Sequence, residues 1–160
     1  MRTLLLMRHA KAERGCASQT DHDRSLSPRG RTDAPIMAAW LLANGLQPDQ
    51  VLASSAHRAH ETAQLVCTSL DLESPQVHPR LYMPDVDDIL EVLAMAEGHC
   101  VLLVSHNPTC ELCIESLTGA REIMPTAGIA VIQLDVDEWS DVLVEQLGTL
   151  VQVQVPRALS

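Results

Sequence analysis

The chain has 160 residues, of which 46% are apolar and 20% charged, and its formal net charge is −10. This length and composition predict a single globular domain, residues 1–160, with a sizeable core, and they exclude a disordered chain. The charge is uneven, with seven Arg and Lys against three acids in residues 1–31 and three against sixteen in residues 61–160, which favours a localised anion site and disfavours a nucleic-acid partner.

The first predicted element is a buried strand, because residues 4–7 (Leu-Leu-Leu-Met) form a short apolar run. The run ends at Arg8 and His9, and open α/β sheets place their binding crevice at the carboxyl ends of the strands. Arginine offers a planar, permanently charged group suited to phosphate, and a neutral imidazole beside it is a candidate nucleophile. The pair is therefore a candidate phosphate site, although it is not a specific motif on its own.

A polar segment, residues 11–26, follows the strand and shows no apolar periodicity. Loops of this length in a compact domain are usually functional. Arg24 lies near the end of the loop, and the pattern leaves two interpretations open: a further phosphate ligand, or a solvated loop side chain.

The next element is a predicted helix over residues 28–44. Ser27 and Pro28 are typical of an N-cap and a first helical residue, and Gly45 is typical of a helix end. Pro35 disfavours a uniform helix. The pattern leaves open whether the helix kinks at Pro35 or restarts just before it.

Residues 51–53 predict a second strand, which a helix with apolar residues at helical spacing follows. Arg58 falls in the first turn of that helix, beside the strand end, where a phosphate also meets free backbone amides. We expect Glu61 to pair with Arg58 from the next turn, and we expect His57 and His60 to face solvent.

The most strand-like run of the chain is residues 100–104, and His106 follows closely after it. If the three apolar strands are parallel neighbours, Arg8, His9, Arg58 and His106 meet at one edge of the sheet. Such a site would hold a dianion, with one histidine to attack it and one to assist.

The remaining elements are predicted from shorter patterns. Val77, between prolines, is expected in a short edge strand. Helices are expected over residues 85–96 and 108–117, and the two final strands over residues 128–135 and 143–155.

The cysteines and the apolar runs bear on the compartment. Five cysteines without regular spacing indicate a reducing environment, and the longest strictly apolar run, residues 36–43, is far shorter than a membrane span. We therefore expect a cytoplasmic protein with no membrane contact. Cys110 and Cys113, with His106, supply three potential metal ligands, but no second Cys-x-x-Cys pair completes a zinc site. We interpret both as buried core residues and expect no metal.

Three motifs together resemble those of a known family. They are Leu-Met-Arg-His at residues 6–9, Ser-Ser-x-x-Arg-Ala-x-x-Thr-Ala at residues 54–63 and Val-Ser-His-Asn-Pro at residues 104–108. In this order they resemble the histidine phosphatase superfamily, whose fold is phosphoglycerate mutase-like, and the resemblance spans residues 4–132. The short chain without an inserted cap is most similar to the small SixA-type phosphohistidine phosphatases.

The resemblance implies a fold and a mechanism. The fold would be a three-layer α/β/α arrangement with a mostly parallel central sheet. His9 would attack phosphorus and form a phosphohistidine that water then hydrolyses, assisted by His106 as the second catalytic histidine. Arg8, Arg58 and, as a further candidate, Arg24 would bind the phosphate, and no metal or organic cofactor is required.

One departure from the family pattern bears on the substrate. The family usually has a glutamate that protonates the leaving oxygen, and residues 80–85 contain none; Asp85 is the nearest acid and a possible general acid. A phosphorylated imidazole leaves readily without such an acid, because its nitrogen can be protonated beforehand. The absence therefore favours phosphohistidine over ordinary phosphomonoesters.

The expected partner is a phosphohistidine-bearing protein of the histidine-phosphotransfer or phosphocarrier type, acted on by a monomer. Two alternatives stay open: hydrolysis of a small phosphomonoester on the same residues, and a module that binds phosphate without turning it over.

Overall fold

The computed structural model describes residues 1–144 and 146–159. Within them lies a central sheet of six strands, which are β1 (Arg2–Arg8), β2 (Gln50–Ser54), β3 (Gln76–His78), β4 (Cys100–Ser105), β5 (Ile129–Leu134) and β6 (Gly148–Gln154). The order across the sheet is β3-β2-β4-β1-β5-β6, so that β3 is an edge strand, as expected at Val77. The first four strands are parallel, whereas β5 is antiparallel to β1 and to β6. The predicted α/β class with a mostly parallel central sheet is confirmed.

Helices cover both faces of this sheet. They are α1 (Pro28–Ala43), α2 (His57–Ser69), α3 (Val86–Leu93) and α4 (Thr109–Thr118). Side chains of a strand alternate between the two faces, and in β1 Leu5 and Met7 pack with α1 and α2, whereas Leu4 and Leu6 pack with α3 and α4. Because both faces are covered, the inner strands β1, β4 and β5 are mostly apolar rather than alternating, whereas the edge strand β6 alternates Val with Gln. None of the described helices is both long and apolar enough to cross a membrane.

The first helix is one continuous segment that includes Pro35. Its N-cap is Ser27, whose Oγ accepts a hydrogen bond from the backbone N–H of Gly30 at 3.2 Å. The alternative of a restart before Pro35 is therefore wrong, because the buried face of α1 stabilises the helix despite one missing hydrogen bond. Gly30 also has a packing role, since a Cβ there would collide with the carbonyl oxygen of Lys11.

The last predicted strand is shorter than expected, since β6 begins at Gly148. Of the expected residues before Gly148, Leu143 ends a 3-10 turn, Trp139–Leu143, and residue 145 lies outside the described residues. Trp139 and Val142 are buried there, and the Nε1–H of Trp139 donates a hydrogen bond to the carbonyl oxygen of Gly98 at 2.7 Å. The alternation of the sequence did not reveal this side-chain anchor.

A Gly30→Ala variant tests the close approach of the loop to α1. In an ordinary helix interior this change stabilises by roughly 0.5–1 kcal/mol. Here the new Cβ meets the Lys11 carbonyl, and we expect a loss of about 1–3 kcal/mol, as at other overpacked sites. Urea unfolding measures the difference, and Leu42→Ala, at an exposed position of the same helix, is the control expected to change little. A Gly30→Ala protein as stable as the wild type would contradict this packing.

Candidate active site

Three adjacent strands end at the same edge of the sheet. Because β4 lies between β1 and β2, the structure brings together His9 after β1, Arg58 after β2 and His106 after β4. The imidazole centroids of His9 and His106 are 5.2 Å apart. The roles of these residues in binding and catalysis remain predictions.

The imidazole of His9 is held in one tautomer by the backbone. Its Nδ1 lies 2.8 Å from the carbonyl oxygen of Ala10, and because a carbonyl only accepts, Nδ1 carries the proton and Nε2 has the free lone pair. The backbone is anchored on both sides, since the N–H of His9 donates to the oxygen of Ser105 and its own oxygen accepts from Ala127 N–H. His9 therefore presents Nε2 as its nucleophilic atom.

Burial keeps His9 neutral. The side chain is 8% exposed, and desolvation lowers its pKa from 6.5 to about 4, with the charges of Arg58 and Arg8 acting in the same direction and the Ala10 hydrogen bond opposing them. A neutral imidazole at neutral pH is the form in which a histidine acts as a nucleophile.

A threonine links the end of β1 to the first turns of α2. The Oγ1 of Thr62 accepts a hydrogen bond from the N–H of Ala10 at 3.0 Å and donates one to the carbonyl oxygen of Arg58 at 2.7 Å. Thr62 is fully buried. The position of the His9 ring is thereby tied to the helix that carries Arg58.

The second histidine is buried against a serine. The Nε2 of His106 lies 2.8 Å from the Oγ of Ser54, which itself accepts from the N–H of Ala56. Its Nδ1 has no hydrogen-bond partner among the residues that the structure describes. Burial, followed by the neighbouring His9 and Arg58, lowers the pKa of His106 to about 3. In the tautomer in which the Ser54 hydroxyl donates to Nε2, the neutral ring carries an Nδ1–H that no described residue accepts.

Arg58 is buried, and its charge is paired with a residue other than the expected one. Its guanidinium donates to the carbonyl oxygen of Asp21 at 2.8 Å and to the Oδ2 of Asp21 at 3.1 Å. The expected pairing with Glu61 is wrong, since Glu61 accepts from Arg31 and from the N–H of Leu26. Side chains on a helix lean toward its N-terminus, so Arg58 points away from the turn that carries Glu61.

The two other candidate arginines differ in their surroundings. Arg8 donates to the carbonyl oxygen of Met124 at 3.1 Å, and its buried Nε has no partner within the described ranges. Arg24 donates to the Oδ1 of Asp21 and to the carbonyl oxygen of Glu13. Arg8 thus has a donor that no described residue uses, whereas the contacts of Arg24 are with its own loop.

Sequence reasoning missed two residues, Asp21 and Tyr82. The hydroxyl of Tyr82 donates to Asp21 Oδ2 at 2.8 Å, and its ring lies edge-on to the ring of His106, 5.7 Å between centroids. Hydrogen bonds from Tyr82 and then Arg24, together with Arg58, hold the pKa of the Asp21 carboxyl well below its usual range. Both residues lie in segments between regular elements, and the one available signal was that Tyr82 is the only tyrosine of the chain.

Asp85 caps a helix. Its side chain accepts a hydrogen bond from the N–H of Asp88 at 2.8 Å, and the Asp88 carboxylate accepts from the N–H of Asp85 in return. Asp85 is exposed and follows Pro84, which lines the cavity beside His106. Its role as general acid stays a prediction.

Two cavities differ in their suitability for an anion. One of about 300 Å³ adjoins the site, lined by Arg58, Met83, Pro84, His106, Asn107, Pro108 and Thr109. A larger one of about 600 Å³ lies at the opposite edge of the sheet, beside Asp49, Asp71, Glu73 and Glu97. The acids of the larger cavity repel phosphate, so the smaller one is the candidate substrate site.

The Cys-x-x-Cys pair lies in the core. Cys110 and Cys113 are fully buried on α4, and burial raises the pKa of both thiols, that of Cys113 to about 12. Protonated, inaccessible thiols are poor metal ligands and poor redox groups. Among the described residues, no three His, Cys, Asp or Glu side chains are grouped to hold a metal ion.

The six-stranded mixed sheet between helices has the α/β fold of the phosphoglycerate mutase-like class. The sequence model of the histidine phosphatase superfamily (branch 1) matches residues 4–82. The uncharacterized protein ML1117 of Mycobacterium leprae is 37% identical over 167 residues, which cover 94% of this chain and 100% of that protein. This chain belongs to the histidine phosphatase superfamily.

Two further similarities are to SixA proteins. Phosphohistidine phosphatase SixA of Escherichia coli is 29% identical over 139 residues, covering 82% of this chain and 85% of that protein. The solved structure of the protein histidine phosphatase SixA complexed with tungstate has a TM-score of 0.84 and 27% identity, and covers 99% of both chains. These similarities support a phosphatase, a hydrolase of phosphoryl bonds.

The lowered pKa values predict that both site histidines stay neutral well below pH 6.5. NMR of the imidazole nitrogens should give midpoints near 4 for His9 and near 3 for His106, with a His9→Asn variant to assign the signals. Since unfolding returns both pKa values to about 6.5, the unfolded state binds more protons, and stability falls as the pH drops from about 6.5 toward 4. A midpoint near 6.5 for either ring would contradict the buried, neutral site.

Proposed function

We propose that the protein is a phosphohistidine phosphatase that works through a covalent phosphohistidine intermediate on His9. The observation that carries the proposal is the hydrogen bond between His9 Nδ1 and the Ala10 carbonyl. This contact leaves Nε2 with a lone pair, and burial keeps it unprotonated. The tautomer and the charge state of His9 are therefore both those that a nucleophilic imidazole requires.

In the first step, Nε2 of His9 attacks phosphorus, and the bond from phosphorus to the leaving nitrogen breaks with its electron pair. Arg8, Arg58 and the Nδ1–H of His106 bind the phosphoryl oxygens, where the transition state concentrates its charge. As the new bond forms, the His9 ring gains positive charge, and its hydrogen bond to Ala10 strengthens. Arg24 contributes its charge from the loop, where it holds Asp21.

In the second step, water attacks the phosphorus of the phosphorylated His9. The bond from phosphorus to Nε2 breaks, its electron pair returns to the ring, and inorganic phosphate leaves. The same three groups bind the oxygens in both steps, so one site serves both.

The proposed leaving group is the imidazole of a phosphohistidine on a histidine-phosphotransfer or phosphocarrier protein. Apart from Arg58 and His106, the cavity beside the site is lined by uncharged residues such as Met83, Pro84 and Pro108. Among the described lining residues it therefore has no additional cation for the carboxylate of a small metabolite, and a flat ring suits it. The name of the E. coli relative, phosphohistidine phosphatase, supports the same substrate class.

The supply of a proton to the leaving group also favours phosphohistidine. An alkoxide needs a proton to leave, and the candidate acid, Asp85, has an oxygen engaged in capping α3. A phosphorylated imidazole can take its proton from solvent beforehand, so it does not depend on an enzyme acid. Asp85 is kept as the candidate general acid for phosphomonoesters alone.

A substrate comparison tests the proposal. Phosphate release is measured from a phosphohistidine-bearing phosphotransfer protein, from phosphoserine and from a panel of sugar phosphates. We expect the phosphoprotein to be preferred, His9→Asn to abolish release, and Arg58→Gln to lower the rate by about 10²–10³, as for other lost anion donors. His60→Asn, at an exposed position of the same helix, is the matched control.

Two outcomes would contradict the proposal. Turnover of the small phosphomonoesters without turnover of the phosphoprotein would make the enzyme a metabolite phosphatase. Tight phosphate binding with no release from any substrate would make the site a binding module.

A further inference from the structure

We infer that Asp21 is a positioning residue, which holds Arg58 in the phosphate site and is itself held by Tyr82. The inference rests on the proposed function, in which Arg58 binds phosphate. It goes beyond that function by giving a role to Asp21, a negatively charged residue beside a site for an anion.

Asp21 accepts hydrogen bonds at three oxygens. Arg58 donates to its carbonyl oxygen at 2.8 Å and to Oδ2 at 3.1 Å, and the Tyr82 hydroxyl also donates to Oδ2 at 2.8 Å. Arg24 donates to Oδ1 at 2.9 Å. Each carboxylate oxygen thus has a partner, and the two contacts with Arg58 fix the plane of its guanidinium.

These contacts join three segments that are distant in the sequence. Asp21 lies in a 3-10 turn between β1 and α1, Arg58 in the first turn of α2, and Tyr82 just after the 3-10 turn that follows β3. The Tyr82 ring also lies edge-on to His106 and 6.0 Å below the guanidinium carbon of Arg58. The Asp21 carboxylate therefore fixes the position of Arg58 relative to His106, through its contact with Tyr82.

Burial explains why Arg58 needs such a partner. Arg58 is 8% exposed, and a buried guanidinium without a counter-charge is strongly unfavourable. Before substrate arrives, Asp21 supplies that charge and selects one rotamer of a long, flexible side chain. The donors of Arg58 that Asp21 leaves free then face the phosphate without reorganisation.

The negative charge of Asp21 has a second effect, which decides how the affinity for phosphate should change when the charge is removed. Next to the site it repels phosphate and so weakens binding. Removing the charge should therefore loosen Arg58 and lower kcat, while the affinity for inorganic phosphate holds or increases. A defect that merely disturbed the local fold would weaken both.

The test compares Asp21→Asn with the wild-type protein, using whichever substrate the wild type hydrolyses. We expect kcat to fall about 10- to 100-fold, as for other misplaced catalytic groups. The inhibition constant of inorganic phosphate should stay within about threefold or fall. Tyr82→Phe, which retains the ring and loses the hydroxyl, should give a smaller loss of kcat in the same direction. Asp23→Asn removes a charge from the same 3-10 turn and should leave both constants unchanged.

A double-mutant cycle asks whether Asp21 acts through Arg58. In an Arg58→Gln background, Asp21→Asn should lower kcat by less than about twofold, because the residue it positions is gone. Additive losses would overturn the inference, as would a phosphate affinity that weakens in parallel with kcat in the single variant.

A readout without substrate separates this inference from the proposed function. The Nε–H signal of Arg58 in NMR should be sharp in the wild type, broadened by exchange in Asp21→Asn and unchanged in Asp23→Asn. If the wild type hydrolyses no phosphorylated substrate, the proposed function fails, and this signal still tests the positioning. A sharp, unshifted signal in Asp21→Asn would overturn the positioning role.

Discussion

The exclusion of water from two histidines beside three guanidinium groups is the constraint on which the site depends. Burial disfavours the charged form of each ring, and the charges of Arg8, Arg24 and Arg58 add to this effect at His9. The same positive charges attract an anion. One electrostatic arrangement thus keeps the proposed nucleophile unprotonated and draws in the group that it would attack.

The fold provides this arrangement through its backbone. Three parallel strands end together at one edge of the sheet. In the turn after β1, both polar backbone groups of Ala10 are hydrogen-bonded within the protein, the carbonyl oxygen to the His9 ring and the N–H to Thr62 on α2. Each contact uses an atom that needs a partner once it is buried. The sheet and α2 therefore hold the backbone of the site residues. The flexible side chain of Arg58 is restrained by Asp21, which lies in the long loop after β1.

The elements that sequence analysis predicted are those whose structure is determined by residues close together in the sequence. Short apolar runs predicted the parallel strands, and the polar residues that end them predicted which side chains meet at the sheet edge. The errors arose where contacts between residues distant in the sequence determine the structure. The partner of Arg58 is Asp21 rather than Glu61, because the direction of a helical side chain outweighs closeness in the sequence. The last strand was predicted to begin at residue 143 but begins at Gly148, because a 3-10 turn that a hydrogen bond from Trp139 to Gly98 stabilises ends at Leu143, and no periodicity reveals that contact.

The central claim is that the phosphoryl group passes through Nε2 of His9, and the most direct measurement is to trap it there. The protein is mixed with a phosphohistidine-bearing protein labelled at phosphorus, quenched within the first turnover, and its peptides are mapped by mass spectrometry under alkaline conditions. The account predicts an acid-labile label on the peptide that contains His9, and none in the His9→Asn variant. Phosphate release without any label on His9, or a label on another residue, would contradict it.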